Sequence, residues 1–287
     1  PRELEEALSS GVGRIVVDNE EELNRLGVLC TERGCVADVL FRIKPGVSAH
    51  THEYVRTGAI DSKFGVALEN GEAERLLTRA SSMPGIRLRG IHCHIGSQIF
   101  GPDSFVEAAR IMTGFMADFA DRTGAILTEL NLGGGYGVRY VDGDTPDAPE
   151  ELFRPVAAAI REICGKRSFP QPAICLEPGR AIVAEAGTTS YTVGSVKRIP
   201  DIRTYVAVDG GMFENPRYAL YGSAYEIVRA DDPSAVRTEP VTIAGKCCES
   251  GDLIQEHIPM PPLETGDVLA VLSTGAYHYS MASNYNR

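Results

Sequence analysis

Residues 128–137 read TELNLGGGYG: a short apolar run ends at three consecutive glycines, Gly133, Gly134 and Gly135. So short a run, with glycine at its end, has the pattern of a buried parallel strand. Consecutive glycines after a strand let backbone N–H groups converge on an anion with no Cβ in the way. The simpler reading is a tight turn, although a turn needs fewer than three glycines. In β/α barrels ligands bind at this end of the strands, and the late strands often supply a phosphate site.

Further runs of the same kind flank this one, at residues 14–18 (RIVVD), 39–44 (VLFRIK), 88–95 (LRGIHCHI) and 173–177 (AICLE). Helical patterns lie between them, over residues 20–29, 71–80, 104–123 and 150–164. In the third, Phe105, Ala108, Ala109, Met112, Phe115, Met116 and Phe119 recur at three- and four-residue steps, the stripe of a core-facing helix. Strand–helix alternation means a parallel sheet, open or closed into a barrel. Five strands are legible, where a closed barrel has eight. After about Ala184 the pattern changes to β segments at 188–196, 202–208, 241–244 and 268–272, with one short helix near 218–221. An antiparallel β part is expected there.

The chain has 287 residues, 43% hydrophobic and 23% charged, enough for a sizeable core. Its 28 Lys and Arg against 39 Asp and Glu leave a net charge of −11, which argues against nucleic acid or an anionic membrane as partner. No apolar run approaches the roughly 20 residues of a membrane span. The opening PRELEEALSS does not read as a signal peptide. Seven cysteines without framework spacing suit free thiols in a reducing compartment, and a cytoplasmic location is expected.

Four other segments carry chemistry. Glu177, Pro178, Gly179 and Arg180 (EPGR) close a strand with a carboxylate and a guanidinium, either an ion pair or a working pair. His92 and His94 flank Cys93, and on a strand both rings would share one face. His-x-His is also a metal-ligand spacing, repeated at His50 and His52, although those two lie in a loop that reads as solvated. No metal is expected, because a metal would leave the glycines and EPGR without a task. Cys247 and Cys248 adjoin in CCESGD and, if extended, face opposite ways, one into the core and one towards a site. The tail GAYHYSMASNYNR, dense in Tyr, Ser and Asn, suits a polar cavity or interface.

Taken in order, DSKFG (61–65), HCHIGSQ (92–98), LGGGYG (132–137), EPGR (177–180), VDGGM (208–212), ALYG (219–222), GKCCESGD (245–252) and STGAYHYSMASNYNR (273–287) resemble the diaminopimelate decarboxylases, enzymes of the fold-type III, alanine-racemase-like class. The resemblance implies an α/β fold: a β/α (TIM-like) barrel that binds pyridoxal 5'-phosphate (residues 1–185), followed by an antiparallel β domain (186–287). It also implies decarboxylation of meso-2,6-diaminopimelate to L-lysine and CO₂. His94 would stack on the cofactor's ring and belong to the catalytic residues, with Ser97 nearby. Gly133, Gly134, Gly135 and the backbone of Pro178, Gly179 and Arg180 would hold the phosphate. Glu177 would pair with the pyridine nitrogen. Arg180, Arg217 and Tyr221 would grip the carboxylate of the centre that does not react, and Glu249 its ammonium. Cys248 would deliver a proton after decarboxylation, and Tyr277 would contact cofactor and substrate. In the family Cys248 and Glu249 reach across from the partner subunit, which implies a homodimer with shared active sites.

The family holds its cofactor as a Schiff base on a lysine before the strands read here. Lys44, Lys63, Lys166, Lys197 and Lys246 are the chain's lysines, and none has that context. The chain therefore reads as an internal piece of a longer protein, its barrel incomplete at the N-terminus. Tyr218 stands where relatives usually have proline, and Phe213 and Glu214 also depart from the pattern. The alternatives are a decarboxylase of a related amino acid, a lysine-less non-catalytic homologue, and a metal-dependent hydrolase.

Overall fold

Ala37, Val39, Phe41 and Ile43 are buried at every second position of β2 (Ala37–Lys44), and Leu40 is buried as well. A strand with one fully apolar face packs that face against covering helices, as the strands of a parallel sheet do, while Asp38, Arg42 and Lys44 stand with Leu40 on the other. The computed structural model, which describes residues 2–47 and 62–287, places β2 in that setting. Its sheet runs in the order β1 (Ile15–Val17), β2, β4 (Ile86–His92), β5 (Glu129–Asn131), β6 (Ala173–Cys175), all parallel, with β3 (Val66–Ala67) also paired to β2. The connecting helices are α2 (Glu20–Arg33), α3 (Glu72–Ser81), α4 (Asp103–Thr123) and α5 (Pro149–Arg167). They follow α1 (Arg2–Ser9), absent from the sequence reading, whose Leu4 and Leu8, one turn apart, pack against the core.

Local chemistry sets the helix ends. Asn19 caps α2 by accepting the Glu22 N–H at 2.9 Å, and Gly34 closes it in the left-handed conformation at φ 63°. In α4 the stripe Phe105, Ala108, Ala109, Met112, Met116 and Phe119 is buried, whereas Phe115 is only partly covered. Gly90 allows β4 to lie close to β5, since a Cβ there would stand 1.8 Å from the Glu129 carbonyl oxygen.

At the N-terminal ends of the strands Arg14 bonds Asp38 and Glu129, Arg87 bonds Asp38, and Arg89 bonds Glu129 at 3.2 Å. Hydrogen bonding from Arg14, opposed by burial, holds the Glu129 carboxyl below its usual range. With the folded value depressed, the stability Glu129 contributes is present above its ordinary value of 4.5 and is lost as pH falls through the folded value. Glu129→Gln is expected to cost about 1–3 kcal/mol at neutral pH and to flatten acid unfolding below pH 4.5, as read by chemical denaturation at several pH values.

The chain divides into two units: Pro1–Tyr136 with Asp147–Pro178, and Gly137–Pro146 with Gly179–Arg287. The excursion at 137–146 joins the second unit because Val138 and Tyr140 are buried in its core, as is Ala184 ahead of the expected boundary at 185/186. The second unit holds one six-stranded sheet in the order β11 (Leu253–Met260), β10 (Glu239–Ala244), β8 (Arg203–Val208), β7 (Thr189–Ile199), β12 (Val268–Val271), β9 (Ile227–Arg229). It also carries α6 (Gly179–Val183) and α7 (Arg217–Tyr221).

The expected antiparallel pairing holds for four of the five strand pairs and is corrected at one: β10 and β8 pair in parallel, Ile243 opposite Val206. The chain reaches β10 from β8 by a long crossover through α7 and β9, and a crossover, unlike a hairpin, delivers a parallel neighbour. β11 escaped the sequence reading because LIQEHIPM mixes polar residues with Pro259. As an edge strand paired only to β10 it tolerates that proline.

Candidate cofactor and substrate site

In the first unit the C-terminal ends of β4, β5 and β6 bring three motifs together. The Glu177 N–H donates to the Gly133 carbonyl at 2.9 Å, so EPGR begins directly beside the glycine loop. Each glycine is required by a neighbouring backbone. A Cβ would stand 2.4 Å from the Cys93 carbonyl oxygen at Gly133, 2.2 Å from that of Glu177 at Gly134, and 2.1 Å from that of Gly96 at Gly135. Gly133 and Gly135 also take φ of 68° and 100°, which favour glycine. The triplet is thus where three strand-end loops meet, and Ser97, half-buried, follows Gly96 in one of them. The Gly133 N–H donates to Asn131 Oδ1 at 2.8 Å and the Gly134 N–H to His94 Nδ1 at 3.3 Å.

Glu177 is half-exposed, and its Oε1 accepts from His92 Nε2 at 3.2 Å and from Asn131 Nδ2 at 2.9 Å. The His92 hydrogen bond, against the cost of burial, holds this carboxyl below its usual range. The expectation that His92 and His94 share a strand face is corrected, because β4 ends at His92 and the rings turn to different partners. Burial, and then the charge of Arg42, push the His94 imidazole down to about 4, so the ring is neutral at ordinary pH. Burial pushes the Cys93 thiol up to about 12, which makes it core rather than nucleophile. Asn131 and Arg42 were missed from the sequence, and His92 was singled out only as half of a metal-ligand spacing, not as a partner of Glu177. Asn131 stands directly before the glycine motif, but one asparagine ending a strand carries no signal by itself.

Among the described residues no three His, Cys, Asp or Glu side chains cluster as metal ligands. His50 and His52 lie outside the described residues. Four of the five lysines have other partners: Lys44 donates to the Ser62 carbonyl, Lys166 to Glu162, and Lys63 and Lys246 lie against the rings of Phe64 and Phe213.

The second unit assembles a different group. Arg180 and Arg217 are both buried, and both face the ring of Tyr140, at 5.5 and 4.6 Å. Arg180 also bonds the Tyr140 hydroxyl and lies 4.5 Å from the ring of Tyr277. Arg217 donates to Tyr225 Oη at 3.0 Å and Ser223 Oγ at 3.3 Å, and no described carboxylate lies within 4 Å of it. A buried guanidinium held only by neutral oxygens suits an anionic ligand. Tyr277 is half-exposed at φ 55°, a left-handed conformation uncommon for a tyrosine. Tyr221 ends α7, half-buried, and Tyr218 donates to Glu256 Oε2 at 3.1 Å. Tyr140 and Tyr225, which carry no motif, were not foreseen.

Residues 245–252 form a bent loop rather than an extended segment, which corrects the expected alternation of the cysteines. Cys247 is half-buried and Cys248 exposed, so neither fills the core. The loop is gathered by buried Asp252, whose carboxylate accepts the N–H groups of Met212 at 2.5 Å and Cys247 at 2.7 Å. Beside it Glu249 Oε2 accepts from the Tyr285 hydroxyl at 2.9 Å, and the Cys248 carbonyl from Asn286 at 3.3 Å.

Residues 1–184 match the family described as "Pyridoxal-dependent decarboxylase, pyridoxal binding domain". The chain belongs to that family. Among pyridoxal-dependent decarboxylases it is 47% identical to the diaminopimelate decarboxylase of Bacillus methanolicus over 285 residues, covering 99% of this chain and 66% of that protein. It is 48% identical to that of Bacillus subtilis, of which it covers 65%. The chain thus spans just under two thirds of the length of these relatives. Its fold matches the crystal structure of diaminopimelate decarboxylase from M. jannaschii in complex with L-lysine, with a TM-score of 0.88 and 33% identity over 99% of this chain and 64% of that one. The Helicobacter pylori enzyme complexed with L-lysine gives 0.88 and 30%, over 99% and 68%. The fold is therefore that of the fold-type III decarboxylases.

The first unit's residues fit pyridoxal phosphate. Both internal donors to Glu177 go to Oε1, which leaves Oε2 for a ring N–H. His94 presents a neutral ring, and the glycine loop lies directly beside Glu177, its Gly133 and Gly134 N–H groups held by Asn131 and His94. No described helix is long and apolar enough to cross a membrane.

Proposed function

We propose that the protein to which this chain belongs decarboxylates meso-2,6-diaminopimelate to L-lysine and CO₂, the last step of lysine biosynthesis. The likeness to diaminopimelate decarboxylases at 47–48% identity over 99% of the chain carries this reading. The buried guanidinium of Arg217, whose hydrogen-bond partners among the described residues are hydroxyls, adds to it.

Bound pyridoxal phosphate supplies the electron sink that accepts the electron pair left when CO₂ departs. The chain's residues do the rest. Glu177, kept ionised, holds the proton on the ring nitrogen, and His94 covers the ring's face. Gly133, Gly134 and Gly135, with the backbone of Pro178, Gly179 and Arg180, hold the phosphate, and Ser97 lies near the cofactor. Arg180, Arg217 and Tyr221 bind the carboxylate of the centre that keeps it, while Glu249 binds the ammonium of that centre. Lysine and ornithine carry an ammonium but no carboxylate at that end, so Arg180 and Arg217 would stay unpaired and such substrates would be rejected. Cys248 gives its proton to the carbon that has lost CO₂, and Tyr277 borders cofactor and substrate.

In this reading the enzyme is a cytoplasmic homodimer with shared active sites, Cys248 and Glu249 serving the partner's. The exposure of Cys248 and Glu249 and the seven free cysteines support it. The test is CO₂ release by the full-length enzyme from diaminopimelate, L-lysine and L-ornithine, with only the first expected to react; preference for either of the others overturns the reading. Cys248→Ala is expected to lower kcat about 10²–10⁴-fold while leaving the bound cofactor's absorbance unchanged.

A further inference from the structure

One buried side chain joins two parts of the first unit's site, and neither motif accounts for it. Asn131, 8% exposed at the end of β5, uses both faces of its amide. Oδ1 accepts the Gly133 N–H at 2.8 Å, and Nδ2 donates to Glu177 Oε1 at 2.9 Å. His92 Nε2 donates to the same oxygen at 3.2 Å, while its Nδ1 is buried with no hydrogen-bond partner. That pattern fits an imidazole with its proton on Nε2, since a second buried N–H would lack an acceptor.

A carboxamide is the side chain of this length that accepts at one end of a fork and donates at the other. Aspartate would still take the Gly133 N–H but would set an oxygen against the Glu177 carboxylate. Leucine would strand both partners. The backbones of the two segments are already joined by the Glu177 N–H to the Gly133 carbonyl at 2.9 Å, but the Glu177 side chain is half-exposed beyond a three-residue strand, and the Asn131 amide fixes that side chain to the loop.

We propose that Asn131 is a positioning residue for the cofactor, its amide tying the glycine loop to Glu177 so that the phosphate contact and the ring-nitrogen contact stand at a fixed separation. This rests on the reading of Gly133, Gly134, Gly135 and Glu177 as cofactor contacts. A pyridine ring and its phosphate are linked by a short arm, so a displacement of about 1 Å between the two contacts spoils both, and shifts of that size cost enzymes about 10²-fold. His92 supports the same oxygen from β4 but does not touch the glycine loop.

The test uses the full-length protein. In its cofactor-free form the Glu177 carboxylate is titrated by carbon NMR, assigned with Glu177→Gln. Pyridoxal phosphate affinity is measured separately by absorbance. The charged or titratable groups acting on Glu177 are His92, His94, Arg42, Cys93 and Tyr136. All remain in Asn131→Asp, so the changes are the new carboxylate and the lost Nδ2 donor. Asn131→Asp is expected to move the Glu177 titration upward by about one unit or more and to weaken cofactor binding about 10-fold. Asn131→Ser, which lacks the Nδ2 donor, should act in the same sense but less, and it decides the matter if the aspartate variant does not fold. An asparagine that merely stabilised the fold would lower Tm in both variants and leave the Glu177 titration in place, which overturns the proposal. If Glu177→Gln itself leaves turnover and the cofactor's spectrum unchanged, the cofactor reading falls and this proposal with it. If Glu177→Gln acts while both Asn131 variants keep titration and affinity, only the role of Asn131 is lost.

Discussion

Glu177→Gln is expected to lower kcat/KM of the full-length enzyme by about 10²–10³-fold, the range seen when one preorganised electrostatic partner is removed. Glutamine keeps the size of the side chain and an oxygen for His92 Nε2 and Asn131 Nδ2, so the local fold should survive. It lacks the negative charge that holds a proton on the ring nitrogen, and a neutral ring draws electrons from the substrate less strongly. The loss should therefore fall on kcat, with KM and cofactor affinity changing much less. Steady-state kinetics beside a cofactor titration separate the two, and near-normal kcat would mean that Glu177 does not meet the ring nitrogen.

The largest effect on stability is expected at Gly90. A Cβ there stands 1.8 Å from the Glu129 carbonyl oxygen and 2.6 Å from its carbon, which are backbone atoms with no rotamer to yield. The same position pairs with Leu40 on the other side, just after the register shift between Val39 and Leu40, so β4 has no free flank towards which to retreat. Gly90→Ala should cost about 3 kcal/mol or more, beyond the usual range of overpacking. His92 ends β4 and Asn131 ends β5, so separating these strands should also weaken cofactor binding. Denaturant unfolding of the variant checks the first expectation, and a Cm within experimental scatter of the parent's would refute it.

The legible parts of the fold were those where one periodicity ruled. The stripe of α4 and the apolar runs of β2 and β4 state their burial outright, because helix and strand repeats differ. β9 and β11 did not, since an edge strand with Pro259 needs no alternation, and the parallel pairing of β10 with β8 depends on a crossover that no local pattern encodes. In the site, the glycines, Glu177 and Arg180 stood out by residue type, and Arg217 entered only through the resemblance. The reason for the glycines did not, because the Cys93, Glu177 and Gly96 carbonyls that exclude a Cβ are distant in sequence. Asn131, Tyr140 and Tyr225 belong to the same class: their parts are set by tertiary neighbours, and their residue types are common everywhere.

Asp252 has a wider consequence. By fastening the Met212 and Cys247 amides, it gives the segment bearing Cys248 and Glu249 its shape in advance. Freezing a slack loop on encounter costs about 1–2 kcal/mol for each residue ordered. A surface delivered ready-made spares that entropy, so in the proposed dimer even a modest area of contact can hold firmly.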